Sequence, residues 1–160
     1  MQLRKLTKVP TAAEALRKAG RYCAYQERAH QEVRDKLYGW GLHRKEVEEV
    51  IVMLIERGFL NEERFARAYA GGHFRMKQWG RLRIIRGLEQ KKVSGPCIQL
   101  ALTEIEEEDY RATMEKLIRT KSLTLKRASP YERHEKIARY LTGKGYEPEL
   151  VREMLRSPGD

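Results

Sequence analysis

Residues 33–51 read VRDKLYGWGLHRKEVEEVI, and their apolar positions return twice further along the chain. They recur 51 residues later in IIRGLEQKKVSGPCIQLAL, residues 84–102, and a further 53 residues later in IARYLTGKGYEPELVREML, residues 137–155. The six positions that keep these offsets are Val33, Leu37, Leu42, Val47, Val50 and Ile51 in the first copy. A fixed offset of this kind indicates one supersecondary unit used three times, which buries its apolar face against its neighbours.

Apolar residues within the copies follow the period of an α-helix. One helical face, in a helix predicted over residues 44–57, carries Val47, Val50, Ile51, Leu54 and Ile55. No segment of useful length alternates between apolar and polar residues, so we expect no strands. The predicted fold is all-α, with three tandem three-helix repeats forming an elongated, curved helical array.

Residues that begin and end helices are found where this fold needs them. Thr11 starts a capping box with Glu14, which opens the first helix. Gly58 lies where a helix ends in the left-handed conformation, and Asn61 can cap the next helix. Ser94 and Ser129 are the corresponding caps in the second and third repeats.

The repeat divides the chain into a basic N-terminal tail over residues 1–10 and repeats over residues 11–60, 61–108 and 109–160. In each repeat a short turn joins the second and third helices, and we expect the apolar residue after it (Leu42, Val93 or Tyr146) to fill the corner. The second boundary is ambiguous, because residues 103–121 could form one helix. Gly71 and Gly72 interrupt another predicted helix, which predicts a bend or a close contact.

Composition favours a polyanionic partner. The 160 residues carry a net charge of +10, and 35% of them are charged. Nucleic acid is the first candidate, an acidic protein surface the second and a membrane surface the third. A basic protein without such a partner is the alternative. The N-terminus has no apolar signal-peptide core and no run is long enough to cross a bilayer, so we expect a cytoplasmic protein.

The sequence offers no recognisable catalytic, cofactor or metal motif, and we predict a protein that is not an enzyme and needs no cofactor or metal. Its four histidines lie far apart and are expected on the solvated surface, and its two cysteines are expected to be reduced thiols. We interpret the acidic run at residues 104–109 as a helix face opposite a basic neighbour.

Basic residues cluster in two places. Residues 64–92 hold nine cations and one acid, and residues 119–127 hold four cations and no acid. Such clusters can neutralise phosphates, although they can also merely cover helix surfaces. Aromatic residues between the cations of the first cluster (Tyr69, Phe74 and Trp79) are more often core than base-stacking platforms. The candidate binding residues are Arg75, Lys77, Arg81, Arg83, Arg86, Lys91, Lys92, Arg119, Lys121, Lys126 and Arg127.

Three motifs resemble those of the RecX family of bacterial recombinase regulators. The first is Gly58-Phe-Leu-Asn-Glu-Glu-Arg-Phe-Ala66 and the second is Gly80-Arg-Leu-Arg-Ile84. The third is Lys136-Ile-Ala-Arg-Tyr-Leu-Thr-Gly-Lys-Gly-Tyr146. Their order and spacing make the resemblance specific over nearly the whole chain. One departure is Lys92, which stands where the family usually has a glycine before the corner residue.

The resemblance implies a regulator that binds in the groove of the RecA–DNA filament and mainly inhibits recombinase ATPase, strand exchange and co-protease activity in DNA repair. Its implied partners are the RecA filament and single- and double-stranded DNA without sequence preference, with no membrane association, and the chain is expected to be a monomer. The alternative is a stand-alone, sequence-nonspecific DNA-binding protein with helix-turn-helix-like units. That alternative lacks a group of residues suited to reading base edges.

Overall fold

The computed structural model describes residues 8–156, which contain nine α-helices and no strand. The helices are α1 (Ala12–Tyr25), α2 (His30–Gly39), α3 (Arg44–Glu56), α4 (Glu62–Lys77), α5 (Arg81–Gln90), α6 (Gly95–Leu102), α7 (Glu107–Leu123), α8 (Pro130–Gly143) and α9 (Pro148–Arg156). This confirms the all-α prediction and the three-helix repeats. Most of the expected basic tail, residues 1–7, lies outside the described residues.

Side-chain caps begin three of these helices at the expected residues. The Thr11 hydroxyl accepts a hydrogen bond from the backbone amide of Glu14, and the Ser129 hydroxyl accepts one from that of Glu132, both at 3.2 Å. The Asn61 side chain accepts one from the amide of Arg64 at 2.9 Å. Each cap satisfies an amide that has no partner within its own helix, which fixes where the helix begins.

Two local expectations are decided by the structure. Residues 103–121 do not form one helix, because α6 ends at Leu102 and a turn that buries Ile105 precedes α7. Helix α4 passes Gly71 and Gly72 without a break, and the close contact at Gly71 is with the Arg75 guanidinium of the same helix. Burial of the Ile105 side chain stabilises the turn between α6 and α7.

The six repeating positions form most of the core. All six are buried in the first repeat, whereas Leu102 in the second and Met154 and Leu155 in the third are only partly buried. Ile55, which we placed on the buried face of α3, is 43% exposed. The face that α3 buries is therefore narrower than the sequence pattern indicated.

The first of two compact units comprises the chain as far as Phe65 together with Lys91–Val93. Its core is formed by side chains of α1, α2 and α3 with Leu42 and Leu60. Cys23 lies in this core, and burial raises the pKa of its thiol to about 11. The expected reduced thiol is thus a packed core side chain that ionises only at high pH.

The second compact unit comprises Ala66–Gln90 and the chain from Ser94 onward. Here the backbone of the second repeat lies directly against that of the third. The amides of Gly80 and Leu82 donate hydrogen bonds to the carbonyls of Lys144 and Gly145, both at 2.9 Å. The turn after α8 therefore caps the N-terminus of α5, a role that side chains have at α1, α4 and α8.

The three turns before the corner residues share one backbone conformation. Gly41, Lys92 and Gly145 all have positive φ, at 94°, 62° and 99°. The corner residues that follow them, Leu42, Val93 and Tyr146, are all buried, as expected. Lys92 thus adopts the conformation that glycine provides in the other two repeats, and its Cβ makes that conformation strained.

Replacing Lys92 should show this strain directly. We expect Lys92→Gly to stabilise the chain by about 0.5–1 kcal/mol relative to Lys92→Ala, because relief of the positive φ exceeds the entropy that glycine adds to the unfolded state. The measurement is urea unfolding followed by circular dichroism. Lys92→Ala removes the same charge and keeps the Cβ, so equal stability of the two variants would contradict the prediction.

The backbone contact at Gly80 should tolerate no side chain. A Cβ there would lie 2.3 Å from the carbonyl carbon of Gly145, so we expect Gly80→Ala to destabilise the chain by about 3 kcal/mol or more. Gly143→Ala is the matched control, because a Cβ at Gly143 meets nothing within 4 Å. Equal urea midpoints for the two variants would show that this backbone contact does not hold the second unit together.

Candidate nucleic-acid interface

Arg81, one of the candidate binding residues, is engaged in contacts inside the second unit. Its guanidinium pairs with Glu147 at 2.8 Å and also with Glu107. The guanidinium carbon lies 3.8 Å from the centre of the Tyr110 ring, and only 21% of the Arg81 side chain is exposed. Arg81 is therefore a structural cation, and we remove it from the candidate binding residues.

Tyr110 joins these charged groups to the core. Its hydroxyl accepts a hydrogen bond from the backbone amide of Arg81 at 3.0 Å and donates one to the Glu147 carboxylate. Burial, and then the hydrogen bond to Glu147, raises the pKa of Tyr110 well above its usual value. The ring lies 5.1 Å from that of Tyr146, whose hydroxyl donates to the Gln78 carbonyl. A neutral Tyr110 thus links α5, α7 and the start of α9.

Other cations of the first cluster also have acidic partners. Arg67 pairs with Glu104 at 3.0 Å in the second unit. Lys91 lies 3.3 Å from Glu32 in the first unit. Together with the pairing of Glu107, these contacts confirm that the acidic run faces basic neighbours, although its first three residues precede α7.

Trp79 forms the centre of a group of unpaired cations in the second unit. The Arg83 guanidinium carbon lies 4.3 Å and the Lys77 nitrogen 5.4 Å from the centre of a Trp79 ring. The indole packs on His73 at 4.5 Å between centroids, and His73 packs on Tyr69 at 3.9 Å. The stack packs against the half-buried indole, and the two exposed cations lie beside it.

A second aromatic ring extends this group. Tyr140 has the nitrogen of Lys121 at 4.9 Å from its ring centre and that of Lys144 at 5.7 Å. Lys144 also donates a hydrogen bond to the Lys77 carbonyl at 3.2 Å, which joins the two groups. We name the whole set the basic aromatic face; it consists of Lys77, Trp79, Arg83, Lys121, Tyr140 and Lys144.

The chemistry of the basic aromatic face suits contact with single-stranded nucleic acid or with the phosphate backbone. Its four cations make no ion pair with a carboxylate in residues 8–156, so they are available to phosphates. Aromatic rings beside such cations can stack on bases without distinguishing among them. The arrangement therefore supports binding to nucleic acid through charge and stacking, without readout of sequence.

Three domain models of one family match the chain in order. They are described as the first, second and third three-helix domains of RecX, and they match residues 15–54, 61–102 and 107–155. The chain belongs to the RecX family. The motifs that first indicated this resemblance lie mainly within these matches.

Two relatives that carry the name RecX agree with this family assignment. The chain is 30% identical over 131 residues to the regulatory protein RecX of Clostridium perfringens strain 13, covering 81% of this chain and 61% of the relative. It is 28% identical over 148 residues to the RecX of Lactobacillus johnsonii, covering 92% and 55%. The chain thus spans less than two thirds of the length of these relatives.

The fold matches a crystal structure of RecX from Lactobacillus salivarius with a TM-score of 0.82 at 22% identity, covering 90% of this chain and 96% of that one. A second RecX crystal structure matches with a TM-score of 0.78 at 23% identity, covering 91% and 73%. Both likenesses concern the fold.

Sequence reasoning found half of the basic aromatic face. Lys77, Arg83 and Lys121 were predicted, Trp79 was interpreted as a core residue, and Tyr140 and Lys144 were missed. Lys144 could have been found from the repeat, because it stands 53 residues after Lys91, just before the residue with positive φ. Tyr140 stands four residues before Lys144 at the end of one helix, so helical spacing could have placed the two side by side.

The remaining candidates are surface cations without a shared arrangement. They are Arg75, Arg86, Lys92, Arg119, Lys126 and Arg127, all exposed. Among residues 8–156 none of them forms an ion pair with a carboxylate. They stay candidates on charge alone, with no aromatic ring beside them to suggest base stacking.

The histidines only partly match the expectation of a solvated surface. His43 and His134 are exposed, but His73 lies in the aromatic stack and the Nε2 atom of His30 is buried without a partner. Burial lowers the pKa of His30.

In the described part of the chain, no three His, Cys, Asp or Glu residues come together as ligands for a metal ion. No helix there is long and apolar enough to span a bilayer.

The salt dependence of DNA binding should be determined by the basic aromatic face. We expect Arg83→Ala with Lys144→Ala to flatten the dependence of log K on log salt by roughly 0.7–0.9 for each phosphate that is no longer neutralised. The measurement is fluorescence anisotropy of labelled oligothymidine over a series of salt concentrations. Arg44→Ala with Lys45→Ala removes two exposed cations of α3 and should leave the slope unchanged. An equal change in both double variants would contradict a localised contact.

Proposed function

We propose that this chain is a non-enzymatic regulator that binds in the groove of the RecA–DNA filament and modulates the recombinase. Its main effect would be to inhibit the recombinase's ATP hydrolysis, strand exchange and co-protease activity during DNA repair in the cytoplasm. Membership of the RecX family supports the target, and the basic aromatic face is the observation that carries the proposal. The chain would act as a monomer, with repeats divided at residues 11–60, 61–108 and 109–160.

The groove of such a filament presents DNA phosphates beside protein carboxylates. The basic aromatic face offers four unpaired cations for these anions and two rings for bases or the edges of the protein groove. Because the three repeats are covalently linked, weak contacts by each would strengthen one another through effective concentration, by about 10²–10⁴ where the geometry allows simultaneous binding.

A stand-alone DNA-binding protein is the second candidate. The same face supports it, since cations beside aromatic rings bind single-stranded DNA whether or not a recombinase coats it. The two candidates differ in what limits inhibition. A filament ligand acts at concentrations that leave naked DNA uncoated, whereas a competitor for DNA acts only when it covers the strand.

The test is a titration of RecA ATP hydrolysis on single-stranded DNA. We expect the full chain to inhibit at less than one molecule per RecA protomer, because one linked array would contact several protomers. Arg83→Ala with Lys144→Ala should shift the midpoint to higher concentration by about tenfold, because two cations that neutralise phosphates are removed. The α3 control, Arg44→Ala with Lys45→Ala, should inhibit like the unchanged chain.

Two outcomes would overturn the filament proposal. One is inhibition that begins only after free DNA is saturated, as judged by anisotropy in the same buffer; this would favour the stand-alone DNA-binding protein. The other is equal inhibition by the unchanged chain and the Arg83/Lys144 double variant, which would remove the basic aromatic face from the mechanism.

A further inference from the structure

The first unit carries an apolar groove that the proposed function does not use. The groove runs between α1 and the end of α3 and encloses about 380 Å³, within the range of ligand pockets. Its floor is formed by Leu16, Gly20, Ala24 and Phe59. The Phe59 side chain is 38% exposed.

Three arginines surround this floor. Arg17 and Arg21 of α1 and Arg57 at the end of α3 line the groove, and all three are exposed. Within the described residues none of them forms an ion pair with a carboxylate, unlike Arg34 and Arg64 of the same unit. Arg17 and Arg21 stand four residues apart on one helix, where like charges repel each other. An incoming anion would relieve this repulsion.

We propose that this groove binds an acidic protein segment that inserts a bulky apolar side chain between the three arginines. An apolar anchor would cover the exposed part of the Phe59 ring, which already packs on the buried Gly20 so closely that an added Cβ there would lie 3.6 Å from it. Carboxylates on either side of the anchor would pair with Arg17, Arg21 and Arg57. This assignment stands independently of the basic aromatic face and of the filament proposal.

Other occupants fit the groove less well. The chain's first ten residues carry Arg4, Lys5 and Lys8 and no acid, so the rim would repel them. In a second copy of the chain, the acidic run at residues 104–109 has Glu104 and Glu107 in ion pairs and Ile105 buried. Nucleic-acid bases would gain little from this floor, because it is mainly aliphatic and its one ring lies close to Gly20.

The probe is the synthetic peptide fluorescein-Gly-Asp-Glu-Glu-Phe-Leu-Glu-Glu-Asp-Gly-amide, and the readout is anisotropy with the full chain. We expect a Kd of about 10 μM at low salt. Two control peptides separate the contributions: one has Ser-Ser in place of Phe-Leu, and the other has glutamine and asparagine in place of the acids. Both should bind at least about tenfold more weakly, since each lacks one half of the recognition.

Variants test the groove itself. Arg21→Ala with Arg57→Ala should weaken binding by about tenfold and reduce its salt dependence. Ala24→Leu should weaken it by about tenfold by filling the groove, with the salt dependence unchanged, because the exposed helical site of Ala24 accepts leucine. Arg44→Ala with Lys45→Ala is the charge-matched control in the same unit and should bind normally. All variants are first checked for an unchanged circular dichroism spectrum.

Three results would overturn the proposal. The first is equal binding of the Phe-Leu and Ser-Ser peptides, which would mean that charge alone attracts the peptide. The second is displacement of the peptide by oligothymidine together with loss of DNA binding in Ala24→Leu, which would make nucleic acid the occupant. The third is self-association of the chain in sedimentation that Ala24→Leu abolishes. The peptide assay contains no recombinase, so its failure leaves the ATPase test unaffected.

Discussion

The close approach of two backbones at Gly80 and Gly145 is the contact on which the second unit depends. Only where neither residue has a side chain can the turn after α8 place its carbonyls on the first amides of α5. The same approach brings Arg81 within reach of Glu107 and Glu147, and brings Lys144 to the Lys77 carbonyl. One steric condition therefore both stabilises the unit and assembles the basic aromatic face.

Two cations of the same sequence cluster, Arg81 and Arg83, consequently have different roles. Arg81 is only 21% exposed, paired twice and stacked on Tyr110, so removal of its charge would destabilise the unit by leaving the half-buried Glu147 carboxylate without a cationic partner. Arg83 lies only two residues further along α5, yet it is exposed beside Trp79, where a cation–π contact contributes about 0.5–1 kcal/mol. A cation can exchange a contact of the second kind for a phosphate, as proposed for Arg83, but not a contact of the first kind.

The sequence pattern predicted the features that local chemistry determines. Helix starts at Thr11, Asn61 and Ser129 and the buried corner residues follow from capping and apolar spacing alone. The roles of Arg81 and Arg83 could not be distinguished in this way, because the carboxylates that engage Arg81 come from positions 26 and 66 residues away. Phe59 was missed for the same reason, since Gly20, on which its ring packs, is distant in sequence.

The two candidate surfaces differ in the chemistry that surrounds their cations. On the basic aromatic face the cations lie over ring faces, which suits phosphates joined to flat bases. In the first unit the guanidiniums surround an aliphatic floor, which suits carboxylates on either side of a branched or aromatic side chain. Charge alone would allow both surfaces to bind any polyanion. The uncharged part of each surface therefore decides whether nucleic acid or protein is preferred. Under the two proposals made above, a chain with a net charge of +10 would recognise two kinds of acidic partner, because each set of cations has its own uncharged surroundings.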